Sequence, residues 1–498
     1  MDAVLQHYED RRSVEVLKIQ NAARNSTEWF ENVNRYTGMQ IEQFAYSLLT
    51  RSQRISHENL RLRDQAWLDG YERWMARTLP APVGLETASA PAAEPAVSGG
   101  ASRIPPMLLP LQVRGIGLKS RIVVSPMATY SAVDGVVQDF HLVHLGARAL
   151  GGAALVMVEM TSPNAQGRIT PGCPGLWNDA QQAGLKRIVD FVHTQSSAKI
   201  GLQLGHSGPK GSTQVGWEQA DEPLPLSSAH PNWPLISASA VPYGEQNQVP
   251  AAMTRADMEA ILAEFVASTR RAVEAGFDWL ELHCAHGYLL SSFITPLTNL
   301  RMDEYGGQGA AGLENRCRYP LEVFRAMRAV WPASKPMSVR ISAHDWAPGG
   351  NTGDDAVHIA RLFKQAGCDM IDVSSGQTTR AAQPVYGRMY QTPFADRIRN
   401  EAGILTIAVG AITQADQANS IIAAGRADLC AVARPHLADP AWTLHAAAEL
   451  QSRAVDWPRQ YLSGRDQLYR ELQKQQELLA ATTAVQAPAS ASANEEGL

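Results

Sequence analysis

Cysteine is scarce in this sequence, with five residues among 498. They stand at Cys173, Cys284, Cys317, Cys368 and Cys430. None of them forms a C-x-x-C pair, so the spacing excludes an obvious iron–sulfur cluster or clustered zinc site. An odd, dispersed set of thiols is typical of a reducing compartment, and the sequence therefore predicts a cytoplasmic protein.

Other absences narrow the class of protein further. No apolar run approaches the roughly 20 residues that a membrane-spanning helix requires, and the acidic start Met1-Asp2 does not resemble a signal peptide. The formal net charge of −5 provides no general excess of basic residues for nucleic acid. We therefore expect a small-molecule substrate rather than a membrane or a nucleic acid as the partner. Hydrophobic residues make up 45% of the chain, which is enough for a large buried core.

Aromatic residues recur at helical spacing near the start of the chain, in residues 1–79. Trp67, Tyr71 and Trp74 fall at i, i+4 and i+7, and residues 29–36 carry a second aromatic face. These patterns predict helices whose aromatic faces form a docking surface or a small bundle.

The composition then changes along the chain. Residues 80–103 are rich in Pro, Ala and Gly, which predicts a flexible linker across which few contacts pass. Residues 451–498 end in an Ala/Thr/Ser-rich stretch, which predicts a partly disordered tail. Between them, residues 104–450 repeat an apolar, strand-like run followed by a helix-like stretch. The eight runs lie at residues 121–127, 154–161, 199–206, 279–286, 336–342, 370–375, 405–412 and 429–435.

Nearly continuous apolar strands that alternate with helices predict a parallel sheet buried on both faces. Eight such units predict the α/β fold class and a (β/α)8 TIM barrel with an N-terminal helical extension. An open doubly wound sheet is the alternative, but no G-x-G-x-x-G follows the first strand. Reactive groups of such a barrel lie at the carboxyl ends of its strands. The long segments 207–253 and 287–312 are expected to cover that end.

The fourth strand ends in His283, His286 and Tyr288. Three polar side chains at the end of a buried strand are costly unless they face a cavity. A pair of satisfied core histidines is the alternative, and an H-x-x-H motif alone leaves both interpretations open. No third Cys, His or carboxylate stands at a useful local spacing, so the sequence predicts no metal site.

The ends of other strands supply groups that suit a bound flavin mononucleotide. Arg340 lies inside the fifth strand, where an unpaired guanidinium is expensive, and it suits the edge of a reduced flavin ring. Gln203 offers a donor and an acceptor for the pyrimidine edge. Arg434 alone fits a structural ion pair equally well. A phosphate site is expected in the loops around strands seven and eight, at Gly410, Gly425-Arg426 and Ala433-Arg434.

Several motifs resemble the old yellow enzyme family of FMN-dependent ene-reductases over residues 105–448: R-I-V-V-S-P-M, H-C-A-H-G-Y-L-L, D-E-Y-G-G, L-E-N-R, V-R-I-S and G-R-A-D-L. The resemblance implies NADH or NADPH as reductant and an α,β-unsaturated or dearomatised cyclic carbonyl as substrate. It implies substrate contacts at Tyr130, His283 and His286, and a proton-donor role for Tyr288. The implied FMN contacts are Ser125, Pro126, Met127, Ala128, Gln203, Arg340, Ala433 and Arg434.

Two positions depart from the family pattern. Ala128 stands where many members of this branch carry a flavin-tuning Cys, and Pro209 stands where the family's H-A-G-R-K stretch has its arginine. The role of that arginine is not carried over.

The whole chain also resembles the carboxyl-terminal part of bifunctional salicylyl-CoA 5-hydroxylase and 2-aminobenzoyl-CoA monooxygenase/reductase proteins. Residues 21–75 resemble the closing helices of the hydroxylase. This resemblance implies an aromatic acyl-CoA derivative as substrate. The alternative is a reductase or interaction subunit that docks to a flavin hydroxylase through residues 1–79. A homo-oligomer is also expected.

Overall fold

The computed structural model describes residues 2–78, 104–225 and 230–486. The expected linker at residues 80–103 lies outside the described residues. Within the described ranges, no helix combines the length and apolar character that a bilayer crossing needs.

Eight parallel strands close into a barrel, which confirms the predicted fold class. Each barrel strand lies within one of the eight predicted runs, and its residues are mostly buried because helices cover the outside of the barrel. The strands in chain order are β1 Leu111–Val113, β2 Ile116–Leu118, β3 Ile122–Val124, β4 Leu155–Thr161, β5 Lys199–Leu204, β6 Ile236–Ser237, β7 Ala251–Ala252, β8 Trp279–Cys284, β9 Met337–Ser342, β10 Met370–Ser374, β11 Leu405–Val409 and β12 Leu429–Val432. The barrel consists of β3, β4, β5, β8, β9, β10, β11 and β12, in that order around it.

Helices follow the barrel strands, and others precede the barrel. In chain order they are α1 Asp2–Glu31, α2 Ile41–Thr50, α3 His57–Arg63, α4 Gln65–Thr78, α5 Asp139–Leu150, α6 Asp179–Gln195, α7 Arg255–Ala275, α8 Leu289–Ile294, α9 Gly309–Val330, α10 Gly353–Gln365, α11 Thr392–Arg397, α12 Ala415–Ala423, α13 Arg434–Ala438, α14 Trp442–Glu449 and α15 Leu462–Gln486. Thr254 caps α7, since its hydroxyl accepts the backbone N–H of Asp257. The helix ends at Gly276, whose φ of 94° is left-handed.

The helices α2, α3 and α4 pack directly on the barrel helix α12. The Tyr71 hydroxyl donates to the Ala423 carbonyl oxygen at 2.6 Å, and the His57 backbone N–H donates to Ser420 Oγ at 2.9 Å. Tyr46 is fully buried and belongs to the same hydrophobic core as the barrel. The expectation that few contacts join these helices to the barrel is therefore wrong, because the barrel supplies the surface that their aromatic faces need.

The predicted tail, residues 451–498, is largely helical in its described part. Within residues 451–498, α15 is a 25-residue helix. Tyr469 on this helix is buried, and its hydroxyl donates to the Ser452 carbonyl oxygen. Residues 487–498 lie outside the described part of the chain.

Candidate active site

The inside of the barrel carries polar side chains from four neighbouring strands, β5, β8, β9 and β10. In the strand register, Gln203 pairs with Glu281, and Arg340 pairs with both His283 and Asp372. All five of these residues are buried. Because buried polar groups are costly without partners, their concentration in one part of the barrel marks a candidate site.

Arg340 extends across the barrel from β9 toward the loop after β3. Its Nη1 lies 3.1 Å from Asp372 Oδ2 and 3.4 Å from Ser125 Oγ. Among the described residues, Arg340 Nε and Asp372 Oδ1 are buried without a hydrogen-bond partner. An unused N–H group on a buried cation is a donor held ready for a ligand.

Glu281 holds the amide of Gln203. Gln203 Nε2 donates to Glu281 Oε1 at 2.8 Å, and Ser338 Oγ donates to Glu281 Oε2 at 2.9 Å. Burial and the nearby Asp372 carboxylate raise the pKa of Glu281 to about 8, although Arg340 opposes this shift. Burial also raises the pKa of Asp372, again against Arg340. One guanidinium therefore faces two carboxyl groups, and its single positive charge neutralises them fully only when one of the two is protonated.

His283, His286 and Tyr288 come together at the end of β8. The His283 ring centre lies 5.1 Å from that of His286 and 4.9 Å from that of Tyr288. His283 Nδ1 accepts the backbone N–H of Ala285 at 3.2 Å, so a neutral His283 carries its proton on Nε2. His286 Nε2 lies 2.7 Å from Ser374 Oγ, which leaves its Nδ1 for another partner.

Both imidazoles are neutral at physiological pH. Burial, followed by the positive charge of Arg340, lowers the pKa values of His283 and His286 well below the ordinary histidine value, and Lys210 adds to this effect. Burial raises the pKa of Tyr288 well above that of a free phenol. The three side chains are therefore neutral hydrogen-bond donors, which suit an oxygen atom that gains negative charge.

The turn that separates the two histidines from the tyrosine depends on backbone geometry. His286 has a φ of 64° and Gly287 a φ of 75°. A Cβ atom on Gly287 would lie 2.7 Å from the Gln377 carbonyl oxygen, so only glycine fits there. This turn directs the chain from β8 into α8, within the segment 287–312 that was expected to cover the barrel end.

A small apolar cluster packs beside Tyr130 and Tyr288. It consists of Met160, Ile169 and Cys173. Tyr130 is a predicted substrate contact, whereas the three cluster residues were not predicted as site residues. Met160 lies in β4 and the other two follow it. Their contact with Tyr130 depends on how the loops after β3 and β4 fold over each other, which no local pattern reveals.

The segment 207–253 adds a buried cation that sequence reasoning also missed. Lys210 is only 2% exposed. Its Nζ lies 4.1 Å from the ring centre of Tyr243, 5.3 Å from that of Tyr288 and 3.6 Å from Asp221 Oδ1. A signal was present, since Lys210 follows the end of β5 much as His286 follows the end of β8.

The loop after β3 holds the four predicted contacts at residues 125–128. The Ser125 backbone N–H donates to the Val432 carbonyl oxygen at 3.2 Å, which joins this loop to the last barrel strand. The Thr129 backbone N–H donates to Glu159 Oε2 at 2.9 Å and holds the other side of the loop. Pro126 and Met127 are partly exposed, and Ala128 is exposed, so their surfaces are accessible to a ligand.

Gly410 lies beside a second set of loops, after β11. Its φ is 103°, and a Cβ atom there would collide with the amide of Gln391 and approach Tyr390 within 3.1 Å. Ala433 and Arg434 follow β12, where Arg434 begins α13 and is exposed. Among the described residues, no hydrogen bond or ion pair of Arg434 is found, so the guanidinium is available to an anion.

The prediction that Gly425 and Arg426 belong to the phosphate site is wrong. Arg426 precedes β12 rather than following it and therefore lies at the opposite end of the barrel from Arg434. Its Nη2 donates to the Thr50 carbonyl oxygen at 2.7 Å, so it joins the barrel to α2. The neighbouring Gly425 packs close to Gln43 of the same helix. Neither residue belongs to the site.

Comparison with known proteins fits this arrangement. A profile of the NADH:flavin oxidoreductase / NADH oxidase family matches residues 106–453. The chain belongs to this family. Its flavin oxidoreductases of the old yellow enzyme type use FMN, with NADH or NADPH as the reductant, and this protein is such an oxidoreductase.

Several bacterial relatives of this flavin oxidoreductase are NADPH dehydrogenases. The protein from Geobacillus sp. (strain WCH70) is 44% identical over 343 residues, which cover 68% of this chain and 93% of that one. The protein from Halalkalibacterium halodurans is 41% identical over 351 residues, which cover 70% of this chain and 96% of that one.

Solved structures of low sequence identity share the fold. Morphinone reductase has a TM-score of 0.58 at 24% identity, and the match covers 72% of this chain and 92% of that one. The structure of 2-naphthoyl-CoA reductase in complex with 2-naphthoyl-CoA has a TM-score of 0.59 at 22% identity. That match covers 67% of this chain and about half of the other chain, 51%. The family match begins at residue 106, so the resemblance of residues 21–75 to a hydroxylase stays a prediction.

The residues of the barrel fit FMN on structural grounds. The unpartnered Arg340 Nε is a buried donor inside the barrel, and Arg434 is an exposed cation at a helix start. Together they provide separate groups for a ring edge and a phosphate. The described residues contain no group of His, Cys, Asp and Glu side chains that would hold a metal ion.

Proposed function

We propose that this flavin oxidoreductase reduces the activated carbon–carbon double bond of an α,β-unsaturated or dearomatised cyclic carbonyl compound. The observation that carries the proposal is the grouping of His283, His286 and Tyr288 as three neutral donors at one end of the barrel. Two imidazoles beside a phenol suit a substrate that needs two hydrogen bonds at its oxygen and one proton at carbon.

His283 and His286 are the residues that hold the substrate oxygen. In the neutral state, His283 donates from Nε2, and His286, whose Nε2 contacts Ser374, is left with Nδ1 to donate. Hydrogen bonds from both stabilise the negative charge that develops on the oxygen as the double bond is reduced. Tyr130 and the apolar cluster of Met160, Ile169 and Cys173 enclose the rest of the substrate.

Tyr288 is the general acid that protonates the substrate α-carbon. Its raised pKa keeps the phenol protonated until carbon becomes basic enough to accept the proton. When bound, FMN supplies the hydride that it takes from NADH or NADPH. We assign its ring edge to Gln203 and Arg340, its ring to residues 125–128, and its phosphate to Gly410, Ala433 and Arg434.

The test is anaerobic reduction of the purified, FMN-loaded protein by NADH and by NADPH, followed by reoxidation with a panel of enones. Fast reoxidation by cyclic enones but not by saturated ketones is the expected result. A protein that is reduced by NADPH yet reoxidised only by oxygen would contradict the proposal. An aromatic acyl-CoA derivative belongs in the same panel, as the substrate that the resemblance to bifunctional hydroxylases implies.

The alternative role, as a reductase or interaction subunit of a hydroxylase system, needs a different surface from the one expected. Trp29, Tyr46 and Tyr71 are buried, so these aromatic side chains are not free to dock. A partner would have to bind faces that stay exposed, such as Leu5 and Tyr8 of α1. Co-purification of an obligate partner would favour this role over independent activity. A homo-oligomer and a cytoplasmic location remain part of the proposal. The five cysteines, which are all free and buried, suit a reducing compartment.

A further inference from the structure

Lys210 is a buried cation that the mechanism described above does not use. It ends a short 3-10 helix at Gly208–Lys210, directly after β5, and its side chain is 2% exposed. Removal of an ammonium group from water is expensive, and a lone ion pair could form at lower cost on the surface. The buried charge of Lys210 is therefore expected to have a function at the site.

The surroundings of the ammonium group are mostly aromatic. Nζ lies over the ring of Tyr243 at 4.1 Å and near the ring of Tyr288 at 5.3 Å, within the range of a cation–π contact. Its carboxylate partner is Asp221, at 3.6 Å, and the Asp221 side chain is 38% exposed. Arg380 is a further cation nearby, and its Nη2 donates to the Asp221 carbonyl oxygen.

We propose that Lys210 is a positioning residue for Tyr288. The ammonium group of Lys210 compensates the negative charge of the phenolate that forms when Tyr288 gives up its proton. This inference rests on the proposed role of Tyr288 as the general acid. In that step the Tyr288 O–H bond breaks, a C–H bond forms at the substrate α-carbon, and the electron pair of the O–H bond stays on the phenolate oxygen. Solvent then returns a proton to the phenolate.

The charges around Tyr288 show why such compensation is needed. Burial raises the pKa of Tyr288, and the groups next in importance, Tyr130, Asp221, Cys173 and Tyr243, act in the same direction. A phenolate without a nearby cation would therefore be expensive. Lys210 Nζ, 5.3 Å from the Tyr288 ring centre, is placed to supply this compensation. It also contributes, after burial and Arg340, to the lowered pKa values of both histidines.

The experiment is a double-mutant cycle in the FMN-loaded protein. Lys210→Met removes the charge and keeps most of the side-chain volume, and it is measured alone and together with Tyr288→Phe. The reduced protein is mixed with 2-cyclohexenone in a stopped-flow instrument, and the rate of reoxidation is recorded. Lys210→Met is expected to slow this step by about tenfold or more, a fraction of the 10²–10⁴ that a positioned acid contributes. In the Tyr288→Phe background the same change should have little effect, because the phenolate no longer forms.

Two further variants separate charge from structure. Lys210→Arg keeps the charge and should restore most of the rate. Asp221→Asn removes a negative charge beside Tyr288, so reoxidation should be unchanged or faster, whereas a merely structural ion pair would make both Asp221→Asn and Lys210→Met slower. If Lys210→Met slows reoxidation equally with and without Tyr288, or if Asp221→Asn slows it tenfold, the role of Lys210 is wrong. If Tyr288→Phe alone leaves reoxidation unchanged, the proposed acid is wrong instead.

Discussion

Replacement of both His283 and His286 by alanine should strongly weaken the binding of phenols at the active site. A phenolate resembles the substrate at the moment when negative charge has developed on its oxygen. Stacked on an oxidised flavin, it should also give a long-wavelength charge-transfer band. The two imidazoles lie with ring centres 5.1 Å apart, close enough to donate to one oxygen. Because neither needs a charge of its own to donate, their hydrogen bonds are the main interaction that the double variant loses.

The expected loss follows from the strength of such bonds. A hydrogen bond to a charged partner contributes about 1.5–3 kcal/mol, so two of them contribute about 3–6 kcal/mol. At about 1.4 kcal/mol per factor of ten, the double variant should bind phenols about 10²- to 10⁴-fold more weakly. Each single variant should lose roughly half of that free energy.

The pH dependence gives an independent check. The pKa values of His283 and His286 are well below the ordinary histidine value, so neither imidazole takes up the ligand's proton near neutral pH. Binding of the phenolate then releases the phenol's proton to solvent. The apparent affinity should therefore fall about tenfold for each pH unit between pH 8 and pH 6, because the ligand's ordinary pKa is about 10. A histidine that became a cation would keep the proton, and the affinity would not change with pH.

The assay is a titration of the FMN-loaded protein with a phenol, followed by absorbance at long wavelength. His344→Ala is the matched control, since His344 also follows a barrel strand but packs against Trp346 and Phe394, with ring centres at 4.6 and 5.7 Å. The control should keep the band. A double variant that retains FMN and gives the full band at unchanged phenol concentration would refute the assignment of the histidine pair.

Three further predictions follow from the same geometry. Tyr288→Phe should slow reoxidation by enones by about 10²- to 10⁴-fold while flavin reduction by NADPH changes little, and stopped-flow traces with both half-reactions slowed equally would count against the acid. Arg340→Ala should weaken FMN retention and lower the flavin potential, because it removes the buried cation and leaves Asp372 without its partner at 3.1 Å. Ultrafiltration measures the retention of FMN, and a redox titration measures the potential. An unchanged potential would mean that Arg340 faces another group. A chain that starts at residue 104 should be less stable and more prone to aggregate than the full chain. The reason is that removal of α2–α4 exposes α12 and breaks the Tyr71–Ala423 hydrogen bond. A thermal unfolding midpoint equal to that of the full chain would contradict this prediction.

Much of the barrel was predictable because its strands are covered on both sides. A strand buried on both faces needs a nearly continuous apolar run, and residues 429–432 show one plainly. Parallel strands also bring their carboxyl ends to one end of the barrel. His283 and Arg340 were therefore both predicted at that end, although 57 positions separate them in the sequence, and the structure pairs them in register.

Other features depended on the direction in which the chain enters a strand. Arg426 and Arg434 are eight positions apart, and both were predicted near the phosphate, but one precedes β12 and the other follows it. They therefore lie at opposite ends of the barrel, and only Arg434 is available to a phosphate. Lys210 was missed for a different reason. A lysine in a long loop is usually exposed, and its burial results from Tyr243, which is 33 positions farther along the chain.

The aromatic helices show how a sequence pattern can be recognised correctly and its partner assigned wrongly. An aromatic helical face looks the same whether it awaits another protein or packs on its own barrel. The evidence that decides between these cases lies in α12, because residues 417–423 of that helix are all buried, whereas an outer helix of a barrel normally keeps one polar face in water. Its polar side chains are buried as well, since Ser420 Oγ accepts the His57 backbone N–H at 2.9 Å and Asn419 Oδ1 accepts the Met107 backbone N–H at 2.9 Å. A barrel helix that is buried on its outer face requires a further layer, and α2–α4 supply it.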